Sequence, residues 1–378
     1  MNKKIIEVVG PSFHNKGDAL MACAIEQRLG AEYYLSYGAK STAPQALRRL
    51  AIAINRRLPQ SMRGIKYQLA GLLPRSYRLK WQMVNYNDIQ SVIDCSGFQY
   101  SDQWEKLASR LKWRKEHYRR IKKMGKKIIM LPQAFGPFQK KIVRELILGI
   151  LESVDLVFAR DEISTEYMLS LGGTRARIKT SPDFTNLVEG AKVEDIEKWR
   201  RVIAIVPNAR MMDMTSRSVG EKYMPFLGLC LEVINSQGLK PVIVVHEKGD
   251  LNLALELGKR VGQDMVVVDE EPVITKGILG SCYAVIGSRY HALISALSQG
   301  TPTLGAGWTH KYQILFKEYG CPECLVEPST SEEEVKDKIA LITDLDPRTG
   351  LIGKIKDRGT ELKRRTEAMW REVESLLK

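Results

Sequence analysis

The chain lacks any apolar run approaching the ~20 residues that a helix needs to cross a bilayer, so no membrane-spanning segment is expected. It also lacks a leader pattern. Lys4 to Gly10 enters a strand-like run directly, without the charged start, long apolar stretch and small-residue cleavage site of a secretory signal. A cytoplasmic location is the expectation. Cysteine is sparse, and Cys23, Cys95, Cys230 and Cys282 sit in apolar segments, where they read as small core residues. Cys321 and Cys324 form a C-x-x-C with no second pair and no histidines at ligand spacing, which favours local packing over zinc. No carboxylate cluster asks for a metal. No Gly-x-x-x-x-Gly-Lys-Ser/Thr loop supports ATP binding, and there is no internal repeat or low-complexity tract.

What remains is a globular composition, 44% hydrophobic and 27% charged, in 378 residues. That length suits two domains of comparable size. The net charge of +14 favours anionic partners: nucleic acid, acidic lipid or phosphorylated small molecules. Much of it lies in Arg48 to Lys80 and in Lys106 to Lys127. The first stretch alternates bases with Leu50, Ile52, Ile54 and Leu69. It reads either as a basic helix lying on an anionic membrane or as a solvated face, and both readings stay open. Nucleic acid is not expected, because the bases are not interleaved with stacking aromatics and no known module is present.

The dominant rhythm is a short apolar strand, a loop, then an amphipathic helix. Strands are expected at Ile5–Val9, Val92–Cys95, Lys127–Leu131, Leu156–Ala159, Val202–Val206, Val242–His246, Met265–Val268, Ala284–Gly287 and Pro302–Leu304. Continuous runs of Val, Ile and Leu suit strands buried on both faces of a parallel sheet. The alternation predicts an α/β fold of doubly wound sheets. A polar break from Leu187 to Trp199 sets the boundaries: one domain over 1–195, carrying a basic insertion at 44–80, and a second over 196–345. A charged helix follows over 346–378.

In such sheets, ligands bind beyond the carboxyl ends of the strands, so the loops there carry the candidates. The first loop runs from Gly10 to Asp18. Gly17 beside a helix start offers backbone N–H groups to an anion, and Asp18 could cap the helix or accept a hydroxyl proton. The second holds Ser96, Gly97 and Asp102, and the third runs from Pro132 to Pro137. In the fourth, Arg160 follows a buried strand directly, as a structural ion pair or an anion clamp. The strongest is Ser288-Arg289-Tyr290-His291. There Ser288 can cap the next helix, while Arg289 and His291 in its first turn converge on one point. Lys311 opens a further helix and can add a third positive group.

Asn15-Lys-Gly-Asp18, Ser96-Gly97 through Asp102, Gln133 through Gly136-Pro137, Arg160-Asp161 with Ser164, Asp183, and Arg289-Tyr-His291 through Gly300-Thr-Pro302 and Lys311 occur in this order. Their spacing resembles the polysaccharide pyruvyltransferase family. The resemblance runs from about Val9 to Lys311. It implies two Rossmann-like doubly wound domains facing a cleft (GT-B-like). It also implies transfer of the pyruvyl unit of phosphoenolpyruvate to a sugar or lipid-linked glycan acceptor, commonly as a cyclic ketal. No cofactor and no metal are implied; phosphoenolpyruvate is the donor substrate. The family's Arg-x-His pair maps onto Arg289 and His291, its downstream lysine onto Lys311, and the arginine of its Arg-Asp segment onto Arg160. Asn15, Gly17, Gly97 and Ser288 complete the expected binding set. His291 is the expected general acid, and Asp18 the expected acceptor of the hydroxyl proton. The family's usual glycine run is replaced here by Cys95-Ser96-Gly97. The rival reading is a nucleotide-sugar glycosyltransferase of the same architecture. Many of those enzymes place a glutamate where this chain has Ser295, and that difference favours pyruvyl transfer.

Overall fold

A computed structural model describes residues 4–11, 15–37, 73–80, 84–103, 108–262, 265–269, 271–307 and 309–378. Residues 44–72 of the expected basic insertion lie outside these. The chain divides into two compact units. The first comprises Met1–Phe13, Met21–Phe184 and Arg365–Lys378; the second comprises His14–Leu20 and Thr185–Arg364.

Each unit is built on one six-stranded sheet, and all its pairings are parallel. The first unit carries β1 (Lys4–Val9), β2 (Tyr33–Tyr37), β3 (Ile89–Asp94), β4 (Lys127–Gln133), β5 (Leu156–Ala159) and β6 (Arg177–Thr180), in the order β2-β1-β3-β4-β5-β6. The helices between them are α1 (Lys16–Leu29), α2 (Arg75–Lys80), α3 (Ala108–Lys123), α4 (Lys141–Leu151) and α5 (Glu162–Ser170). The central strands bury Ile5, Val92, Ile128, Ile129 and Val157 completely. Each such side chain contributes roughly 1.5–3 kcal/mol relative to exposure.

The second unit has α6 (Ile196–Trp199), β7 (Val202–Val206), α7 (Arg210–Asp213), α8 (Arg217–Ser236), β8 (Lys240–Val244), α9 (Leu251–Val261), β9 (Val266–Val267) and α10 (Pro272–Ser281). It continues with β10 (Ala284–Gly287), α11 (Tyr290–Leu297), β11 (Thr303–Ala306), α12 (His310–Glu318), β12 (Leu325–Val326) and α13 (Glu332–Thr343). Ser331 caps α13 through the backbone N–H of Glu334 at 3.2 Å, as its sequence pattern indicates. A final helix, α14 (Leu345–Leu377), has its first part in the second unit and its last in the first. Cys321 and Cys324 are free and lie within the apolar core of the second unit.

Strand order fixes where each unit can hold a ligand. In the first sheet the winding reverses between β1 and β3. The second sheet runs β12-β11-β10-β7-β8-β9 and reverses between β7 and β10. A doubly wound sheet opens a crevice at the carboxyl ends of the two strands that flank this reversal. The loops after β1 and β3, and those after β7 and β10, are therefore the places to look.

Candidate active site

In the second unit, β7 and β10 end side by side, and Asn208 straps their loops together. Its carboxamide nitrogen donates to the Ser288 carbonyl at 2.9 Å, and its backbone N–H donates to the Tyr223 hydroxyl at 3.0 Å. The Tyr223 hydroxyl in turn donates to Ser288 Oγ at 2.9 Å, and the Tyr312 hydroxyl donates to the Ser288 carbonyl at 2.9 Å. Ser288 is thus a buried hub of this turn. It does not cap α11 as the sequence suggested. The cap position belongs to Arg289, whose guanidinium has no acceptor for a capping bond, while the Ser288 hydroxyl takes the Tyr223 hydroxyl instead.

Arg289 is held from two sides. Its Nε and Nη2 donate to the Asp250 carboxylate at 2.8 and 2.5 Å, and its Nη1 pairs with Glu247. Asp250 is fully buried and also accepts the backbone N–H of Ala209 at 2.9 Å. Burial works against the charged guanidinium, but the hydrogen bonds and charges of Asp250 and Glu247 outweigh it and raise its pKa. The forked pairing fixes the start of α11, and with it His291 in the first turn.

His291 meets the first turn of α1, whose residues 16–20 belong to this unit. A Cβ at Gly17 would overlap the His291 imidazole at Nδ1, so this approach requires glycine. The Gly17 N–H donates to Asn15 Oδ1 at 2.8 Å, which makes Asn15 the cap of α1. Asp18 stands half-buried in the same turn. Asn15 also forms an isolated antiparallel bridge with Glu247, and the Lys16 ammonium donates to the Val245 carbonyl. Between those two contacts in sequence lies His246, which is buried. Burial, then the charges of Lys16, His291 and Arg289, hold its pKa well below the ordinary histidine value, so it is neutral at neutral pH.

Lys311 opens α12 with its ammonium 5.7 Å from the Tyr290 ring centre and 5.2 Å from that of Tyr312. Tyr290 meets the His291 ring edge-on at 5.5 Å. The second unit therefore gathers Asn15, Lys16, Gly17, His246, Glu247, Asp250, Arg289, His291 and Lys311 around its sheet reversal. Of these, Lys16, His246, Glu247 and Asp250 were not among the residues singled out from the sequence. Asp250 lies 39 residues before Arg289, and the signal that could have found it is its place after β8, the strand next to β7.

Gly97 and Arg160 belong to the first unit. Gly97 follows β3 with φ of +68°, and its carbonyl accepts the Ala134 N–H at 3.0 Å. A Cβ at Gly10, after β1, would run into the Ser96 backbone. Arg160 is buried at the end of β5, with Nη1 3.5 Å from Asp183 Oδ2. Two carboxylates of the same motifs bind backbone N–H groups. Asp161 accepts the Ser164 N–H at 2.7 Å to cap α5, and Asp102 accepts the Gln139 N–H at 2.7 Å just before α4.

Among the described residues no group of three or more His, Cys, Asp or Glu side chains could hold a metal ion, and no helix is long and apolar enough to cross a membrane. The arrangement instead sets the Lys16 and Lys311 ammonium groups, with an Arg289 already paired to Asp250 and Glu247, at the starts of α1, α12 and α11.

The profile of the polysaccharide pyruvyl transferase family matches residues 15–310. A curated relative, the amylovoran biosynthesis protein AmsJ of Erwinia amylovora, is 26% identical over 220 residues, which cover 52% of this chain and 53% of that protein. The chain thus matches about half the length of that relative. Among solved structures, Anabaena HepE in complex with UDP and glucose aligns with a TM-score of 0.61 at 11% identity, over 99% of this chain and 100% of that one. A UDP-N-acetylglucosamine 2-epimerase homologue from Listeria monocytogenes aligns with a TM-score of 0.60 at 12% identity, over 99% and 96%. At such identities the likeness shows the fold alone, and that fold is GT-B-like.

Proposed function

The chain belongs to the polysaccharide pyruvyl transferase family; from that premise we propose that it is a transferase of polysaccharide synthesis, one that moves the pyruvyl unit of phosphoenolpyruvate onto sugar hydroxyls of a polysaccharide or lipid-linked glycan. The observation that carries this reading is the convergence of Arg289, His291, Lys16 and Lys311 on the β7/β10 reversal. Phosphoenolpyruvate presents a carboxylate and a phosphate, and both groups need cations. The same reading puts the chain in the cytoplasm, where this donor is made.

The chemistry begins with a proton delivered to the methylene carbon of the donor, which leaves an oxocarbenium at C2. His291 is the group assigned to give that proton. A sugar hydroxyl forms a C–O bond at C2 and loses its proton, with Asp18 the group assigned to take it. The C2–O bond to phosphate then breaks and the phosphate keeps the electron pair. A second hydroxyl closes the ketal at C2. Of the two hydroxyl protons released, one replaces the proton spent by His291 and the other leaves with phosphate. The Lys311 and Lys16 ammonium groups compensate the donor's charge, with Arg289 joining them where the donor carboxylate takes the place of Glu247, so neither a metal nor a cofactor enters the scheme.

Phosphate release from phosphoenolpyruvate, with a cell-envelope glycolipid extract as acceptor, tests the reading. His291→Ala is expected to lower release by about a hundredfold or more, the range for a lost general acid. Release that ignores this substitution would sink the assignment of His291. A melting temperature raised by a UDP-sugar but not by phosphoenolpyruvate would replace pyruvyl transfer with glycosyl transfer.

A further inference from the structure

Helix α3 (Ala108–Lys123) of the first unit has two unlike sides. Leu111, Arg114, His117, Tyr118 and Ile121 are buried. Lys112, Trp113, Glu116, Arg119, Arg120 and Lys123 are exposed, and helical spacing puts them on one arc. That arc carries four bases against one acid. Its acid, Glu116, takes a hydrogen bond from Arg119 at 2.7 Å, and the Arg120 guanidinium lies 4.0 Å from the centre of the Tyr86 ring. Lys112 and Lys123 have no ion-pair partner among the described residues.

The aromatic on this arc is held in place. Trp113 stacks on His117 at 4.8 Å with 12° between the rings, yet remains 50% exposed. The imidazole behind it is fixed from both nitrogens: Nε2 lies 2.8 Å from Glu7 and Nδ1 lies 3.2 Å from the Tyr86 hydroxyl. A large apolar ring is thus braced outward beside a row of lysines and arginines.

We propose that this face of α3 docks on an anionic lipid surface, with Lys112, Arg119 and Lys123 meeting the headgroups and Trp113 seated at their level. Charge complementarity selects the partner's sign, and the tryptophan selects a bilayer interface over a purely polar polyanion. Tryptophan favours the headgroup region because one part of its ring system is apolar and its N–H is not.

Flotation with vesicles of phosphatidylglycerol in phosphatidylcholine, and of phosphatidylcholine alone, tests this on the whole chain. The wild type is expected to float with the anionic vesicles at low salt, to stay behind with the neutral ones, and to be released as salt rises. Each basic residue near such a surface is worth about fivefold in partitioning, so Lys112→Gln, Arg119→Gln and Lys123→Gln together should weaken flotation about a hundredfold. Their melting temperature should stay at the wild-type value, since these side chains are exposed. Trp113→Ala should weaken flotation without changing its salt dependence. Flotation of the triple variant equal to wild type would place any lipid contact elsewhere in the chain and overturn the proposal. So would failure of the wild type to float, or its displacement from vesicles by duplex DNA at equal charge.

Discussion

Each unit buries an aspartate beside an arginine, and the two pairs differ in what surrounds them. In the first unit, Asp94 ends β3 and accepts the Ser96 N–H at 2.9 Å and the Ser96 hydroxyl at 2.6 Å. It also accepts the hydroxyls of Tyr100 and Tyr118, with Arg114 Nε at 3.8 Å. Burial, with the Asp94 charge, pushes both phenols well above their ordinary pKa, so neither can ionise at working pH. In the second unit, Asp250 holds Arg289 with Glu247, and the groups next to that pair are His246, His291 and Lys16. The first network is closed and has no group that exchanges protons near neutrality. The second is bordered by the His246 and His291 imidazoles and the Lys16 ammonium. Burial of a charged pair therefore marks structure in both places, and what separates a candidate active site from a brace is the titratable company it keeps.

The largest expected effect tests that contrast directly. Asp250→Ala and Asp94→Ala each strand a buried arginine, and each should cost about 3–5 kcal/mol in urea unfolding. Their consequences for phosphate release should diverge. The Asp94 variant, measured per folded molecule, should keep the wild-type pH profile, because His291 and its neighbours are untouched. The Asp250 variant should lose release even where it is folded, because the start of α11 is no longer fixed. Equal loss in both would erase the distinction between brace and site.

A smaller effect comes from His246. Its folded pKa lies well below the ordinary value, chiefly through burial. An unfolded chain takes up a proton there at about pH 6.5, so below that pH the unfolded state binds more protons than the folded one. Stability from this group is therefore complete above about pH 6.5 and lost as the pH falls, by up to ~1.4 kcal/mol per pH unit. His246→Gln should flatten the wild-type slope by that amount when urea midpoints are compared between about pH 7.5 and 5.5. An unchanged slope would mean that the imidazole is hydrated. It would also remove His246 from the titratable set that distinguishes the second unit.

The same contrast explains what could be read from sequence. Leu156–Ala159, Val202–Val206 and Ala284–Gly287 fall where their apolar runs put them, because central parallel strands are buried on both faces. The strands without such a run, β2, β6 and β12, are sheet edges. Edge strands need no continuous apolar run: β6 is Arg177-Ile-Lys-Thr180 and largely exposed, and β2 is built on tyrosines. Arg289 and His291 were legible because a strand end, a helix start and two cationic residues stand together in eight consecutive positions. Glu247 and Asp250 were not, because nothing local distinguishes them from solvated acids; only the pairing of β8 with β7 brings them to Arg289. Ser288 reads locally as a cap, but its hydroxyl accepts from Tyr223, 65 residues away, and the cap position falls to Arg289.

The smallest expected effect concerns how the two carboxylates divide Arg289 between them. Asp250 is fully buried, whereas the Glu247 side chain is 29% exposed, so the two are not equivalent partners. A donor carboxylate approaching Arg289 from solvent competes with Glu247 and leaves the Asp250 fork intact. Removing the Glu247 charge should then help the donor bind. A partly exposed pair is worth about 0.2–1 kcal/mol, so Glu247→Gln should lower KM for phosphoenolpyruvate by up to about fivefold, with kcat unchanged. A raised KM would show the opposite, that Glu247 aims Arg289 as Asp250 does and both carboxylates form one scaffold. A fall in kcat with KM unchanged would instead draw Glu247 into the proton transfers. It is the more exposed acid of the pair and is bridged through its backbone to Asn15, just before the turn of α1 that holds Asp18.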